Sequence, residues 1–244
     1  YAVDMTLGPV LRIWHEFRDA ALADPAQAKV PSMEQLSAAA ALRDPGEIQI
    51  DAVAGTVRLG RTGMSLDVGA VAKGYAAERV AESLRAAGLT SGIISAGGSN
   101  VRLIGKPDDP ERVAWNIGVQ NPDDNPLLSS QPVLDTIAAT ETSIVTSGDY
   151  QRYYVANDVV YHHLIDPKTL MPASHFRVVT IMTPDSGIAD FLSSTLFILP
   201  LQEGLDVLKQ YPGTEALWVY HDGTMKATEG MRQVLRNQTA LPVE

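Results

Sequence analysis

Four stretches of this sequence hold residues whose types and spacing could do chemistry. In Ala189-Asp190-Phe191-Leu192-Ser193-Ser194, Asp190 and Ser194 stand four apart, so on a helix they share one face. A carboxylate and a hydroxyl are hard oxygen ligands suited to Mg²⁺ or Ca²⁺, above all where substrate phosphates complete the shell. The alternative is structural: Asp190 as a charge near a helix N-terminus and Ser194 bonding back to its own helix. The second stretch is Ser65-Leu66-Asp67-Val68-Gly69-Ala70-Val71-Ala72-Lys73-Gly74-Tyr75. A glycine-interrupted helix entry leaves backbone groups for a ligand. Lys73 then falls in the first turns, where the helix dipole disfavours a cation, which points to an anionic partner. The competing reading makes Asp67 an N-cap and Lys73 a solvated side chain.

Tyr161-His162-His163-Leu164-Ile165-Asp166-Pro167 is the third stretch. On a strand the two histidines point to opposite faces, so only one can take part in a given site. A histidine near neutral pKa can accept a proton from an attacking hydroxyl, and it can equally be a hydrogen-bonded structural residue. Asp166, ahead of Pro167, either orients the imidazole or starts a turn. Fourth, Ser95-Ala96-Gly97-Gly98-Ser99-Asn100 follows the apolar pair Ile93-Ile94. Paired glycines allow close backbone approach to a ligand, or make a bulge or tight turn. Neither the GxGxxG dinucleotide pattern nor a P-loop is matched.

The elements that must position these residues follow from periodicity. Val10, Ile13, Trp14, Phe17 and Leu22 predict an amphipathic helix from Pro9 to Leu22. Ser32 and Gln35 form a capping-box pair at the head of a second helix, which Pro45-Gly46 should close. Ile48, Ile50, Val57 and Leu59 flank Gly55 as in a hairpin. A third helix should run from about Val71 to Ala87 with Gly88 as its stop, burying Val71, Tyr75, Val80 and Leu84. Between Gly92 and Ile181 the pattern is mainly strand. It comprises Ile93-Ile94, Val101 to Ile104, Trp115 to Val119, Ile137, Tyr153 to Val155, Val159 to Ile165 and Val178 to Ile181. Turn formers separate the runs, among them the stretch from Asn121 to Pro126. Helices over about Ala189 to Ile198 and Leu201 to Tyr211 precede a hairpin from Leu217 to Met225 around Asp222-Gly223. A block of strands with helices before and after predicts an α+β fold with a mainly antiparallel sheet, in one domain over residues 1–244.

At 244 residues the chain can bury a full core, and 45% apolar with 20% charged residues is an ordinary globular composition. A net charge of −10 with no Lys/Arg run argues against nucleic-acid or anionic-membrane surfaces. An anionic nucleotide would need lysines, backbone N–H groups or a metal to cancel the background field. With no cysteine, disulfides, zinc thiolates and a Cys nucleophile are excluded. No apolar run is long enough for a membrane span, and no signal peptide pattern is present.

Taken together and in order, these segments resemble the ApbE family of FAD:protein FMN transferases. The likeness runs from Tyr1-Ala2-Val3-Asp4, Gly8-Pro9-Val10-Leu11 and Trp14, through Leu66 to Tyr75, Ala96-Gly97-Gly98, Thr146-Ser147-Gly148-Asp149-Tyr150 and His163 to Thr169, to Ala189 through Ser194. Separated motifs in a shared order are far more specific than any one of them. The resemblance implies an ApbE-like, T-fold-like α+β domain without its amino-terminal part. It also implies a Mg²⁺ (or Ca²⁺) site made by the Ala70 main-chain oxygen, the Asp190 carboxylate and the Ser194 hydroxyl, with FAD phosphates as further ligands. Asp67, Lys73, Gly97, Gly98, His163 and Asp166 would hold the flavin nucleotide. His163 would lie at the reacting end as the base for the acceptor hydroxyl. An Ala70 carbonyl offered to a metal cannot also be an early helical acceptor, so the third helix should begin after it.

The implied reaction moves FMN from FAD to a Ser or Thr of another protein, releasing AMP. The alternatives are Mg²⁺-dependent FAD hydrolysis to FMN and AMP, and a non-catalytic flavin-binding role. Family members act mostly outside the cytoplasm, often as lipoproteins, on subunits of Na⁺-translocating NADH:quinone oxidoreductase and Rnf-type complexes, so an extracytoplasmic, membrane-anchored location is expected. Three positions depart from the family pattern: Ser194 stands for the usual Thr, Leu170 for a Gly after Lys168-Thr169, and Ser99-Asn100 where Asp often follows the glycine pair.

Overall fold

The computed structural model describes residues 2–124 and 131–243. Tyr1 of the opening motif, and Asn125 and Pro126 of the expected turn, lie outside the described residues. The chain packs as two compact units, Tyr1–Val68 with Asp149–Ala173, and Gly69–Gly148 with Ser174–Glu244. Along the sequence the elements are α1 (Gly8–Ala23), α2 (Met33–Ala40), β1 (Ile48–Asp51), β2 (Thr56–Leu59), α3 (Ala72–Ala86), β3 (Gly92–Ala96), β4 (Asn100–Ile104), β5 (Trp115–Gln120), β6 (Val133–Ala139) and β7 (Ser143–Gly148). There follow β8 (Tyr153–Ala156), β9 (Val159–His162), β10 (Val178–Thr183), α4 (Ser186–Ile198), α5 (Leu201–Leu208), β11 (Glu215–Val219), β12 (Met225–Ala227), α6 (Glu229–Val234) and β13 (Leu241–Pro242).

In the first unit α1 carries Pro9 in its first turn and buries Val10 and Trp14. Ser32 and Gln35 close the expected capping box on α2. That helix ends at Ala40, five residues short of Pro45, where a separate 3-10 turn sits instead. β1 and β2 pair antiparallel as read from sequence, and so do β8 and β9. Trp14, Tyr154 and Tyr161 form an aromatic cluster with ring centroids 5.5–6.5 Å apart. The Tyr154 hydroxyl is buried without a hydrogen-bond partner among the described residues. Burial first, and the neighbouring Tyr161 second, push its pKa up to about 12. A phenol whose folded pKa exceeds its unfolded value of about 10 contributes stability that is whole below pH 10 and is lost as pH rises towards 12. Tyr154→Phe should therefore leave stability at pH 8 unchanged or raise it by about 1 kcal/mol, since an unsatisfied buried group is removed. It should also flatten the decline between pH 10 and 12. Denaturant unfolding at pH 8 and pH 11 checks both.

The second unit is built on a seven-stranded sheet in the order β13-β12-β11-β10-β7-β4-β3. Every pairing is antiparallel except β12 with β13, so the α+β expectation holds. β7 lies inside the sheet although no apolar run marks it: Ser143, Thr146, Ser147 and Gly148 make up most of the strand. The β5–β6 hairpin and α6 share a core with the sheet through Leu103, Val119, Ile137, Ile144, Leu217 and Met231. α4 packs on β7 and β10, and α3 on β3, β4 and α4.

α3 spans nearly the expected residues but buries a different face. Tyr75 is 64% and Val80 46% exposed, and Leu84 is exposed as well, while Gly74, Ala77 and Ala81 are buried. The reason is steric. A Cβ on Gly74 would stand 2.0 Å from the Ser186 carbonyl oxygen and 2.6 Å from the Asp190 Cβ, so α4 approaches on small residues and leaves the larger apolar ones outside.

Candidate metal and nucleotide site

The oxygen-rich part of the second unit forms where α3 begins and α4 completes its second turn. α4 starts at Ser186, three residues before the expected Ala189, capped by the Asp185 carboxylate accepting from Ile188 N–H. Asp190 therefore sits inside the helix and not at its end, which removes the N-terminal-charge reading. Asp190 is 4% and Ser194 7% exposed. Ser193 and Thr195 do bond back to their own helix, to the carbonyls of Asp190 and Phe191 at 2.9 and 2.8 Å. Ser194 instead places its hydroxyl 3.4 Å from Ser147 Oγ on β7, and Ser147 lies 2.9 Å from Ser193 Oγ.

α3 begins at Ala72 with Val71 as its cap residue, so Ala70 precedes the helix as anticipated, and Asp67 is not its cap. The first helical bond runs from Tyr75 N–H to the Val71 carbonyl at 2.9 Å. Gly74 N–H, which a longer helix would aim at the Ala70 carbonyl, donates instead to Asp190 Oδ2 at 2.8 Å. That bond anchors one carboxylate oxygen, Oδ2, at the start of α3. Lys73, in the first turn, donates to Ser99 Oγ, and Ser99 Oγ lies 3.1 Å from Asn100 Oδ1. Ser99 and Asn100 thus tie the lysine to the strand after the glycine pair. Gly97 and Gly98 both have positive φ, 65° and 76°, and are exposed, with open space where a Cβ would stand.

Asp67, His163 and Asp166 belong to the first unit. Asp67 N–H donates to the Met5 carbonyl at 2.8 Å. The strand ends at His162, short of the expected Ile165, so His163 lies beyond it and the opposite-face expectation does not apply; both histidines line one narrow cleft. His162 is buried, accepts from Leu164 N–H at Nδ1 and donates from Nε2 to the Ala173 carbonyl at 2.8 Å, which fixes a neutral structural ring. His163 follows the strand and is half-buried, lining a narrow cleft with Leu11, Trp14, His15 and Arg152. Asp166 Oδ1 accepts from Lys168 N–H at 2.8 Å, which is the turn-forming reading. That turn is fastened by Arg43 to the Pro167 carbonyl and by Trp14 Nε1 to the Leu170 carbonyl. Leu170 has φ +62°, the left-handed region that favours glycine. The backbone cost of about 1–2 kcal/mol is offset by burying its side chain against Val10, Trp14 and Ile165, worth about 1.5–3 kcal/mol. A wider hollow of about 730 Å³ between α1 and β8 is lined by His15, Arg18, Leu22 and Tyr153, and contains none of the candidate residues.

Among the described residues no three His, Cys, Asp or Glu side chains converge on one point, so none forms a zinc- or iron-type cage. One buried carboxylate with hydroxyl and carbonyl oxygens suits a hard cation that keeps open positions for phosphate oxygens. Sequence inspection missed Glu78, Ser99 and Ser147 as parts of this region. The available signal for Glu78 was its place one turn beyond Gly74 on the helix that also carries Lys73.

A mainly antiparallel sheet backed by a close helix pair, α3 on α4, defines an α+β protein. The chain belongs to the ApbE family, whose model matches residues 1–218. It is 32% identical over 242 residues to the FAD:protein FMN transferase of Treponema pallidum (strain Nichols), covering 94% of this chain and 64% of that protein. It is 30% identical over 220 residues to that of Klebsiella pneumoniae (strain 342), covering 89% and 63%. Among solved structures it resembles the ApbE protein of Thermotoga maritima, with a TM-score of 0.79, 30% identity, and 96% of this chain against 72% of that one. The chain thus spans less than two thirds of the length of these two curated relatives.

Proposed function

We propose that this chain carries the FAD-processing region of an FAD:protein FMN transferase, which moves FMN to a Ser or Thr hydroxyl with release of AMP. The observation that carries the reading is the 2.8 Å bond from Gly74 N–H to Asp190 Oδ2. It orients a buried carboxylate beside Ser194, in a family whose relatives bear that activity in their names. Asp190, Ser194 and the Ala70 carbonyl would hold the divalent ion, for which Mg²⁺ fits the all-oxygen donors. When bound, the ion neutralises pyrophosphate charge and aligns the phosphorus for displacement.

Lys73, steadied by Ser99, meets phosphate charge, and Gly97-Gly98 admits the nucleotide close to the backbone. Asp67 contributes to holding the nucleotide. His163 takes the proton from the acceptor hydroxyl as its oxygen bonds to the FMN phosphorus. The bond to the AMP oxygen breaks, and AMP leaves with that electron pair. Such general-base help is worth about 10²–10⁴-fold. Asp166 keeps the turn after His163 in shape. The acceptor classes, subunits of Na⁺-translocating NADH:quinone oxidoreductase or Rnf-type complexes, and an extracytoplasmic, membrane-anchored location belong to the same proposal and rest on the family resemblance.

Intact-mass analysis after mixing the protein with FAD, Mg²⁺ and a Ser/Thr-containing acceptor tests the reading. The expected result is an FMN adduct on the acceptor, stoichiometric AMP, and neither when EDTA is present. Free FMN and AMP without an adduct would assign hydrolysis, and unchanged FAD would overturn the enzymatic reading.

A further inference from the structure

α3 and α4 run antiparallel and are joined by two rungs one helical turn apart. In the first, Gly74 N–H donates to Asp190 Oδ2 at 2.8 Å. In the second, Glu78 Oε2 accepts from Ser186 N–H, also at 2.8 Å. Gly74 to Glu78 and Ser186 to Asp190 are each a step of four residues, so both rungs fall along one line of contact. The second rung reaches the sheet as well. The same Glu78 Oε2 accepts from Arg102 Nε of β4 at 2.8 Å, and the Arg102 side chain is only 4% exposed. Arg102 also meets Glu141 at 3.3 Å.

Sliding α4 along α3 would break both rungs together, and the close approach at Gly74 leaves no room for a compensating shift. We infer that Glu78 is a positioning residue for the ion site: it sets the α3–α4 register that aims the Asp190 carboxylate. The inference rests on the proposed metal role of Asp190. It is not an effect of bulk charge, because Arg102 against Glu78 already cancels its field at close range. A group that orients a ligand without touching the ion characteristically changes metal affinity by about 10–100-fold.

The test is Mn²⁺ binding to the protein, followed by loss of the free-ion EPR signal, with thermal unfolding recorded on each metal-free variant. Mn²⁺ serves as a hard, oxygen-seeking probe. The parent should bind Mn²⁺ and Asp190→Ala should not. Glu78→Ala should weaken binding by about 10–100-fold at temperatures where it is folded. Glu78→Gln, whose amide oxygen still accepts from Ser186 N–H, should bind close to the parent even though losing the charged partner of Arg102 lowers its Tm. A role confined to stability would lower Tm in both variants and leave both affinities at the parent value, and that result overturns the inference. Equal weakening in the Gln and Ala variants overturns it too, since charge would then be the cause. If the parent shows no Asp190-dependent binding, the metal reading itself fails and the inference falls with it.

Discussion

Asp190→Ala is expected to abolish magnesium-linked FAD binding and transfer. Asp190 is the only carboxylate in the proposed donor set, and the remaining ligands, a carbonyl and a hydroxyl, are neutral. Removing it should weaken ion affinity by more than the roughly 100-fold seen for outer-shell changes, which corresponds to upwards of about 2.7 kcal/mol. The alanine variant also leaves Gly74 N–H buried without its acceptor, which costs about 1–3 kcal/mol of stability. Asp190→Asn separates the two effects. Its amide oxygen keeps the bond to Gly74, so unfolding should stay near that of the parent, while the loss of charge still removes the ion. Calorimetric FAD titration with and without Mg²⁺, beside thermal melts of both variants, reads the difference. Mg²⁺-dependent FAD affinity equal to the parent in either variant would rule out Asp190 as a ligand.

Gly74→Ala is expected to be strongly destabilising, because the added methyl falls in the α3–α4 contact. In an ordinary helix interior the change stabilises by about 0.5–1 kcal/mol. Here the new Cβ would meet the Ser186 carbonyl oxygen at 2.0 Å and the Asp190 Cβ at 2.6 Å, and the first of these contacts is backbone that cannot rotate aside. Overpacking of this kind costs about 1–3 kcal/mol and occasionally more. The immobile backbone contact puts this case at the upper end, so a net loss of about 2 kcal/mol and a Tm lowered by roughly 4–8 °C should result. Prising the helices apart also breaks the bond to Asp190, so Mn²⁺ affinity should fall with stability. Ala76→Gly, at an exposed position of the same helix, is the control: it should cost only about 0.5–1 kcal/mol and leave ion binding intact. A Gly74→Ala protein as stable as the parent would show that the two helices can separate freely.

Features set by near neighbours in the chain were legible from the residues. The capping box of Ser32 and Gln35, the Gly88 stop, the β1–β2 hairpin and the four-residue step from Asp190 to Ser194 all depend on local hydrogen bonding and on fixed helix or strand periods. The start of α3 after Ala70 was likewise anticipated, because a carbonyl offered to a ligand cannot close a helical turn. The buried face of α3 was not legible. Apolar periodicity pointed to Val71, Tyr75, Val80 and Leu84, but the partner helix packs on Gly74, Ala77 and Ala81, and closeness of approach outweighed apolar area. β7 was hidden for a similar reason, since Ser143, Thr146, Ser147 and Gly148 carry little apolar signal, and the strands and helix packed around them cover Ser143 and Gly148 and half-bury Thr146 and Ser147. Nor could residue types show that Gly74 N–H is spent on Asp190, 116 positions away, or that Glu78 links a helix start to a sheet arginine. Such pairings depend on which surfaces meet after folding, and hydrogen-bonding groups of distant segments carry no mark of their eventual partner until packing brings them within 3 Å.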